Sequence, residues 1–192
     1  PLFTHSRFDP EAALRTLSDE RITVERSFPT LVMDQLALAE KQQNDFDLSN
    51  LRTGLSSSLN TEVFAKLEAV IGPHEFVNNY GFTEATGVVS LSVPEDPPDL
   101  RWGKMGKPLE EMEVQIVDPE TDKSLKAGEE GEILVRGWAM MKGYHDPEPN
   151  LPPPLDENGW YHSGDLGSVD REGYLTYLGR VRERLRVGGE NV

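Results

Sequence analysis

Residues 77–87 read Val-Asn-Asn-Tyr-Gly-Phe-Thr-Glu-Ala-Thr-Gly, which gathers aromatic rings, two amides, two threonine hydroxyls and a carboxylate around glycines directly after a short apolar run. These are groups that phosphate chemistry uses. Gly81 admits backbone angles closed to other residues and lets a ligand approach the main chain closely. The Thr83 hydroxyl and the N–H groups beside it can hold a phosphate, and Glu84 offers a hard oxygen to a magnesium ion bridging phosphates. A glycine turn followed by Thr-Glu is equally a way to start a helix, so both readings stand at this point.

Two other stretches carry candidate chemistry. Residues 159–167, Gly-Trp-Tyr-His-Ser-Gly-Asp-Leu-Gly, set Asp165 beside glycines and aromatics, just ahead of a hairpin. A carboxylate held there can accept hydrogen bonds from both vicinal hydroxyls of a ribose; the alternative is a Gly-Asp turn with Trp160 and Tyr161 as core anchors. His162 has no second ligand at metal spacing and reads as a structural or solvent-facing histidine. Near the end, Arg180, Arg182, Arg184 and Arg186 alternate through an otherwise acidic protein. They can meet phosphate or ribose oxygens, or pair with Glu183 and Glu190 on a solvated edge.

The elements that must position these residues follow from composition and periodicity. A chain of 192 residues can hold a substantial core or two small modules. Acidic residues outnumber basic ones 34 to 19, and the formal charge of −15 argues against nonspecific binding to nucleic acid or to an anionic membrane. An anionic ligand therefore needs local positive charge, which the arginines supply. With no cysteine there is neither a disulfide framework nor a thiolate metal site. No apolar run reaches membrane-spanning length and no secretion signal opens the chain, so the expectation is a cytoplasmic protein without an integral membrane segment.

Asp9-Pro10-Glu11 is a helix start, with Leu14 and Leu17 at helical spacing to about Asp19. Ile22 and Val24 alternate as in a strand, Phe28-Pro29-Thr30 turns the chain, and Leu31 to Ala39 is again helical. A loop from Leu48 leads to a strand ending in Gly54-Leu55-Ser56-Ser57-Ser58, Asn60 caps a helix carrying Val63, Leu67 and Val70, and Gly72-Pro73 stops it. This is an α/β layer over 1–93. The polar, proline-rich run Pro94 to Asp99 reads as a connector, and 94–179 as a β-rich part, a small antiparallel sheet or open barrel. Its strands are centred on Met112-Val114-Ile116, on Ile133-Leu134-Val135, and on a hairpin over 167–179 with Asp170 to Gly173 as its turn. Asp146 to Asp156, with three consecutive prolines, is a surface loop.

Taken in order, Tyr80-Gly81-Phe82-Thr83-Glu84, Gly106-Lys107-Pro108, Gly131-Glu132-Ile133, Gly143-Tyr144, Gly159-Trp160-Tyr161 with Gly164-Asp165, and Gly179-Arg180 with Gly188-Gly189-Glu190-Asn191 resemble the adenylate-forming (AMP-binding) superfamily. The texture is closer to its acyl-CoA synthetase (fatty-acid–CoA ligase) branch than to peptide-synthetase adenylation domains. The resemblance implies an internal piece of the large domain of such an enzyme, without the lysine-bearing phosphate loop and the C-terminal domain, and so inactive alone. It implies an ATP-dependent acid–thiol ligase that converts a fatty or other acyl acid to an acyl-adenylate and passes it to coenzyme A. Loading of a carrier protein and a noncatalytic binding module on the same scaffold are the alternatives. By the same resemblance Tyr80 packs on adenine, with Asn79 and Gly81 beside it. Thr83 touches the α-phosphate, Glu84 holds Mg2+, Asp165 binds the ribose of ATP or AMP and Arg180 reaches ribose or phosphate. Residues 180–192 become a hinge with Arg182 as pivot, and a homo-oligomer is allowed. Departures from the family pattern are Arg182 for Asp or Lys, Ser163 for Thr, Glu110-Glu111 for a Pro-Gly turn, the serine-rich 54–58 loop and the triple proline.

Overall fold

Helix α1 (Pro10–Asp19) starts as its cap signature predicts in the computed structural model, which describes residues 2–26, 28–42, 45–57, 60–72, 75–145 and 154–183, with 186–187 and 190–191. The Asp9 carboxylate accepts the Ala12 N–H at 2.8 Å, Pro10 has no N–H to satisfy, and Glu11 pairs with Arg15 at 2.7 Å one turn on. Contacts divide the chain into two compact units, residues 1–79 with 92–103, and residues 80–91 with 104–192.

In the first unit β1 (Val24–Arg26), β2 (Thr53–Ser57) and β3 (Glu75–Tyr80, its last residue already in the second unit) are parallel, in the register Val24–Thr53 and Thr53–Glu75. Helices α2 (Pro29–Lys41) and α3 (Thr61–Val70) connect them, as parallel pairing requires. Ile22 lies outside the strand expected to contain it: its N–H closes the end of α1 on the Leu17 carbonyl, and its side chain packs on the core. Pro29 is the first helical residue of α2 rather than part of a turn, a position where a missing N–H costs nothing. Asn60 caps α3 through the Val63 N–H at 2.9 Å. Phe64, fully buried, stacks at 5.9 Å on Trp102 and meets Phe76 at 6.0 Å. Trp102 follows the run Pro94 to Asp99 read as a connector, in the part expected to be β-rich. There a single helical turn, α4 (Pro98–Arg101), delivers the indole to a 5% exposed position where its N–H bonds the Phe76 carbonyl at 3.0 Å.

The second unit holds a short ribbon, β4 (Ser90–Leu91) with β5 (Lys107–Pro108), and an open antiparallel sheet. The sheet runs in chain order, β6 (Met112–Val117), β7 (Gly131–Gly137), β8 (Tyr161–Val169) and β9 (Leu175–Arg180), and does not close into a barrel. Its turns are tied by aspartates: Asp118 Oδ1 accepts the Glu120 and Thr121 N–H groups, both at 2.9 Å, and Asp170 Oδ1 accepts those of Glu172 and Tyr174. Ile133, Val135 and Leu175 form the buried face with Val89 and Ala85. Strand β8 begins at Tyr161, so Gly164 and Asp165 lie inside a paired strand rather than in a turn or ahead of the hairpin. At the Glu110-Glu111 turn the Met112 N–H bonds Leu109 O at 2.9 Å and Glu111 takes φ +62. Beyond Arg180 a 3-10 turn (Val181–Glu183) precedes β10 (Arg186–Val187), paired antiparallel with β11 (Glu190–Asn191). Ser58, Pro73, Arg184, Gly188 and Gly189, and residues 146–153 of the expected surface loop with the first two of its prolines, are outside the described residues. Among the described residues no helix is long and apolar enough to cross a membrane.

Candidate active site

Tyr80 ends β3, and the loop that follows folds back on it: the Val89 N–H bonds the Tyr80 carbonyl at 2.8 Å, and the Ala85 and Gly87 N–H groups both bond the Phe82 carbonyl. This return is so tight that a Cβ on Gly81 would stand 2.3 Å from the Gly87 carbonyl oxygen. Glycine is therefore needed at 81 for the close approach of its own loop and not for unusual backbone angles. The left-handed positions are Thr86, φ +55, and Gly87, φ +93. The 3-10 turn Thr83–Ala85 leaves Thr83 exposed and Glu84 half-buried.

Asp165 is 4% exposed, and its neighbours explain how a carboxylate is kept there. The Tyr80 hydroxyl donates to Oδ2 at 2.7 Å, and Arg180, its partner across β8 and β9, brings Nε to 3.1 Å from Oδ1. Arg180 also donates through Nη1 to the Ser163 carbonyl at 3.2 Å. Burial pushes the Tyr80 phenol well above its ordinary range, and the adjacent Asp165 charge works the same way, so Tyr80 remains a hydrogen-bond donor at neutral pH. The strand around Asp165 is fixed in turn. The Ser163 hydroxyl donates to Ile133 O at 2.6 Å and accepts the Asp165 N–H, while Glu132 accepts the N–H of Gly164, a residue at φ +69.

A run of rings borders this acid. Tyr177 stacks on Tyr80 with centroids 6.0 Å apart, Tyr80 meets Phe82 edge-on at 5.8 Å, and Phe82 stacks on Tyr161 at 5.1 Å. Glu84 accepts the Tyr144 hydroxyl at 2.6 Å. That bond, with the residue's own N–H, the Arg180 charge and the Tyr161 hydroxyl, holds the Glu84 carboxyl below the usual range, and the same bond pushes the Tyr144 phenol up to about 12.

Of the residues proposed from sequence, Tyr80 and Arg180 both contact Asp165, and Glu84 lies within electrostatic reach of Arg180. Asn79 is buried in the first unit, its N–H bonded to Asn78 Oδ1 at 3.0 Å. Arg182 is exposed and, with Arg180, Glu132, Ser163 and His162, lines a cavity of about 600 Å³. His162 stands 3.4 Å from Glu132, and among the described residues no cluster of three or more His, Asp or Glu could hold a metal unaided. The hydroxyls of Tyr144 and Tyr161 near Glu84 were not foreseen. Tyr144 lies 60 positions from Glu84, beyond any local pattern, and only the Gly143-Tyr144 motif marked it.

The AMP-binding enzyme family matches residues 2–145, 144 of the 192. The acyl-CoA ligase SID4 of Ajellomyces capsulatus is 35% identical over 191 residues, 96% of this chain and 32% of that protein. The structure of the anthranilate CoA ligase AuaEII in complex with anthranoyl-AMP has a TM-score of 0.80 at 31% identity, covering 95% of this chain and 34% of its own. That of O-succinylbenzoate coenzyme A synthetase from Bacillus subtilis, in complex with ATP and magnesium, has a TM-score of 0.80 at 27% identity, covering 98% of this chain and 38% of its own. The chain thus spans about a third of the length of the relatives it matches. A match over three quarters of the sequence, joined to an open antiparallel sheet and a parallel α/β layer of the same kind, makes this chain a member of the AMP-binding enzyme family.

Proposed function

We propose that the whole protein is an AMP-forming acid–thiol ligase, which activates a fatty or other acyl acid with ATP and transfers the acyl group to coenzyme A, and that the residues described here form the nucleotide side of its site. The observation that carries this reading is the buried Asp165 carboxylate, held by the Tyr80 hydroxyl at 2.7 Å and Arg180 at 3.1 Å at the end of a run of aromatic rings. On this reading the ring of Tyr80, flanked in the chain by Asn79 and Gly81, packs against adenine, Asp165 accepts the ribose hydroxyls and Arg180 both steadies Asp165 and reaches ribose or phosphate oxygens. The exposed Thr83 hydroxyl donates to the α-phosphate, and placement of these donors around the attacked phosphorus supplies the rate enhancement.

Magnesium fits the donor set. Glu84 is a hard, ionised, half-buried oxygen donor, the kind of single carboxylate that serves an ion taking most of its ligands from phosphate oxygens and water. When bound, the ion would neutralise charge on the phosphates. That the similar B. subtilis synthetase was solved in complex with ATP and magnesium supports magnesium as the ion. Arg182 is the proposed pivot of a hinge over 180–192. Acid-dependent exchange of pyrophosphate into ATP by the whole protein, followed by thioester formation on adding coenzyme A, tests the reading with a panel of fatty and aryl acids. Exchange with none of them would refute it, and exchange without thioester would move the acceptor from coenzyme A to a carrier protein.

A further inference from the structure

Three hydrogen bonds tie the segment 139–144 to the loop that carries Glu84. The Thr86 hydroxyl donates to the Ala139 carbonyl at 2.8 Å, the Met141 N–H donates to the Glu84 carbonyl at 2.8 Å, and the Tyr144 hydroxyl donates to Glu84 Oε1 at 2.6 Å. Ala139 is buried in the core of its unit, so the near end of this strap is anchored, while Tyr144 itself is 56% exposed. A half-exposed glutamate on a three-residue 3-10 turn has several rotamers open to it. Here one of its oxygens is fixed from outside the turn, and Tyr161 and Arg180 face the same carboxylate.

We propose that Tyr144 is a positioning residue for Glu84, held in place by the 139–144 strap, and that it sets the carboxylate in the orientation that meets a magnesium ion on bound nucleotide. The inference rests on the reading of Glu84 as the magnesium-holding residue. Groups that orient a metal ligand commonly act this way, by a hydrogen bond to the ligand and without touching the ion. Phenylalanine at 144 keeps the ring and removes only the donor.

The test compares the unaltered protein with Tyr144→Phe and Glu84→Gln by calorimetry, using ATP with magnesium, ATP in EDTA and, separately, AMP in EDTA. The expected result for Tyr144→Phe is about fivefold weaker binding of magnesium–ATP, the worth of one ordinary hydrogen bond, with AMP binding in EDTA unchanged; Glu84→Gln abolishes the gain that magnesium gives. If Glu84→Gln has this effect and Tyr144→Phe does not, the positioning role is wrong and the magnesium reading stands. If Tyr144→Phe weakens AMP in EDTA as much as magnesium–ATP, the phenol supports the loop and not the carboxylate, which also overturns the proposal. Binding that is indifferent to magnesium in all three proteins overturns the reading of Glu84 and the inference with it.

Discussion

Replacing Asp165 separates the structural job of its carboxylate from the ribose-binding job proposed for it. In Asp165→Ala the Tyr80 hydroxyl, buried and bonded to Oδ2 at 2.7 Å, loses a charged acceptor, a loss of ~1.5–3 kcal/mol for bonds of this kind. Arg180 is 53% exposed, so its lost pairing adds little, and relief of a desolvated charge works in the opposite direction. The net expectation is ~2 kcal/mol, which lowers the unfolding midpoint by ~4–8 °C at this chain length. Asp165→Asn keeps an acceptor for the phenol and so loses less than ~1 kcal/mol of stability. Its uncharged amide is a poorer partner for two ribose hydroxyls, and AMP affinity is expected to fall about tenfold, equivalent to ~1.4 kcal/mol. Thermal unfolding followed by circular dichroism and calorimetric titration with AMP read the two effects separately. An alanine variant that melts with the unaltered protein, or an asparagine variant that loses stability while binding AMP normally, refutes the reasoning.

Gly81→Ala forces its Cβ against the Gly87 carbonyl at 2.3 Å, and overpacking against backbone is expected to cost ~1–3 kcal/mol in urea unfolding; an unchanged midpoint would mean the loop relaxes freely. Glu111→Gly should stabilise by ~1 kcal/mol, because Glu111 holds φ +62 at the third position of a turn that favours glycine. A neutral or lower midpoint in the same assay counts against strain there. Burial raises the Glu25 carboxyl above its ordinary value, partly offset by the Gln35 amide donating to it at 2.8 Å. The folded state therefore favours the protonated form, and the stability this group contributes at acid pH is lost as pH rises through the folded-state value. Glu25→Gln should then be more stable than the unaltered protein at pH ~7 and not at pH ~4, near the unfolded carboxyl value; a gap of the same size at both values sinks the argument.

What was legible in the sequence was what neighbouring residues decide. Asp9 and Asn60 cap their helices through N–H groups three residues away, and Asp170 ties its turn over four. Pro29 is ambiguous in sequence because proline suits both a turn and a first helical position, and only the packing of Val32 and Leu36 behind it distinguishes the two. Trp102 carries little local signal because the polar residues 94–99 dominate its surroundings, while the partners that bury it, Phe64 and Phe76, lie more than 25 positions earlier. The candidate site shows the same division. Tyr80, Glu84, Asp165 and Arg180 could each be singled out by local pattern, but the Tyr80–Asp165 and Tyr144–Glu84 bonds join partners 85 and 60 positions apart. Pairings of that reach depend on the sheet.

The Tyr80–Asp165 bond also bears on the order of events as the polypeptide leaves the ribosome. The β6–β7 meander can close as soon as its turn has emerged, since hairpins form in ~1–10 μs. The Tyr80 phenol must instead wait for the whole intervening stretch, including the β5 region, whose Gly106 carbonyl receives the Leu175 N–H. Contacts of such long separation carry the heaviest loop-closure cost and form late. Until β8 and β9 arrive, Tyr80 and Phe82 lack their partners Tyr177 and Tyr161 and present bare rings to whatever else is nearby. Nascent chains halted before residue 160 should thus be captured by a holdase chaperone more strongly than chains halted after 183, and recovery of nucleotide binding on refolding should lag behind recovery of β-sheet signal.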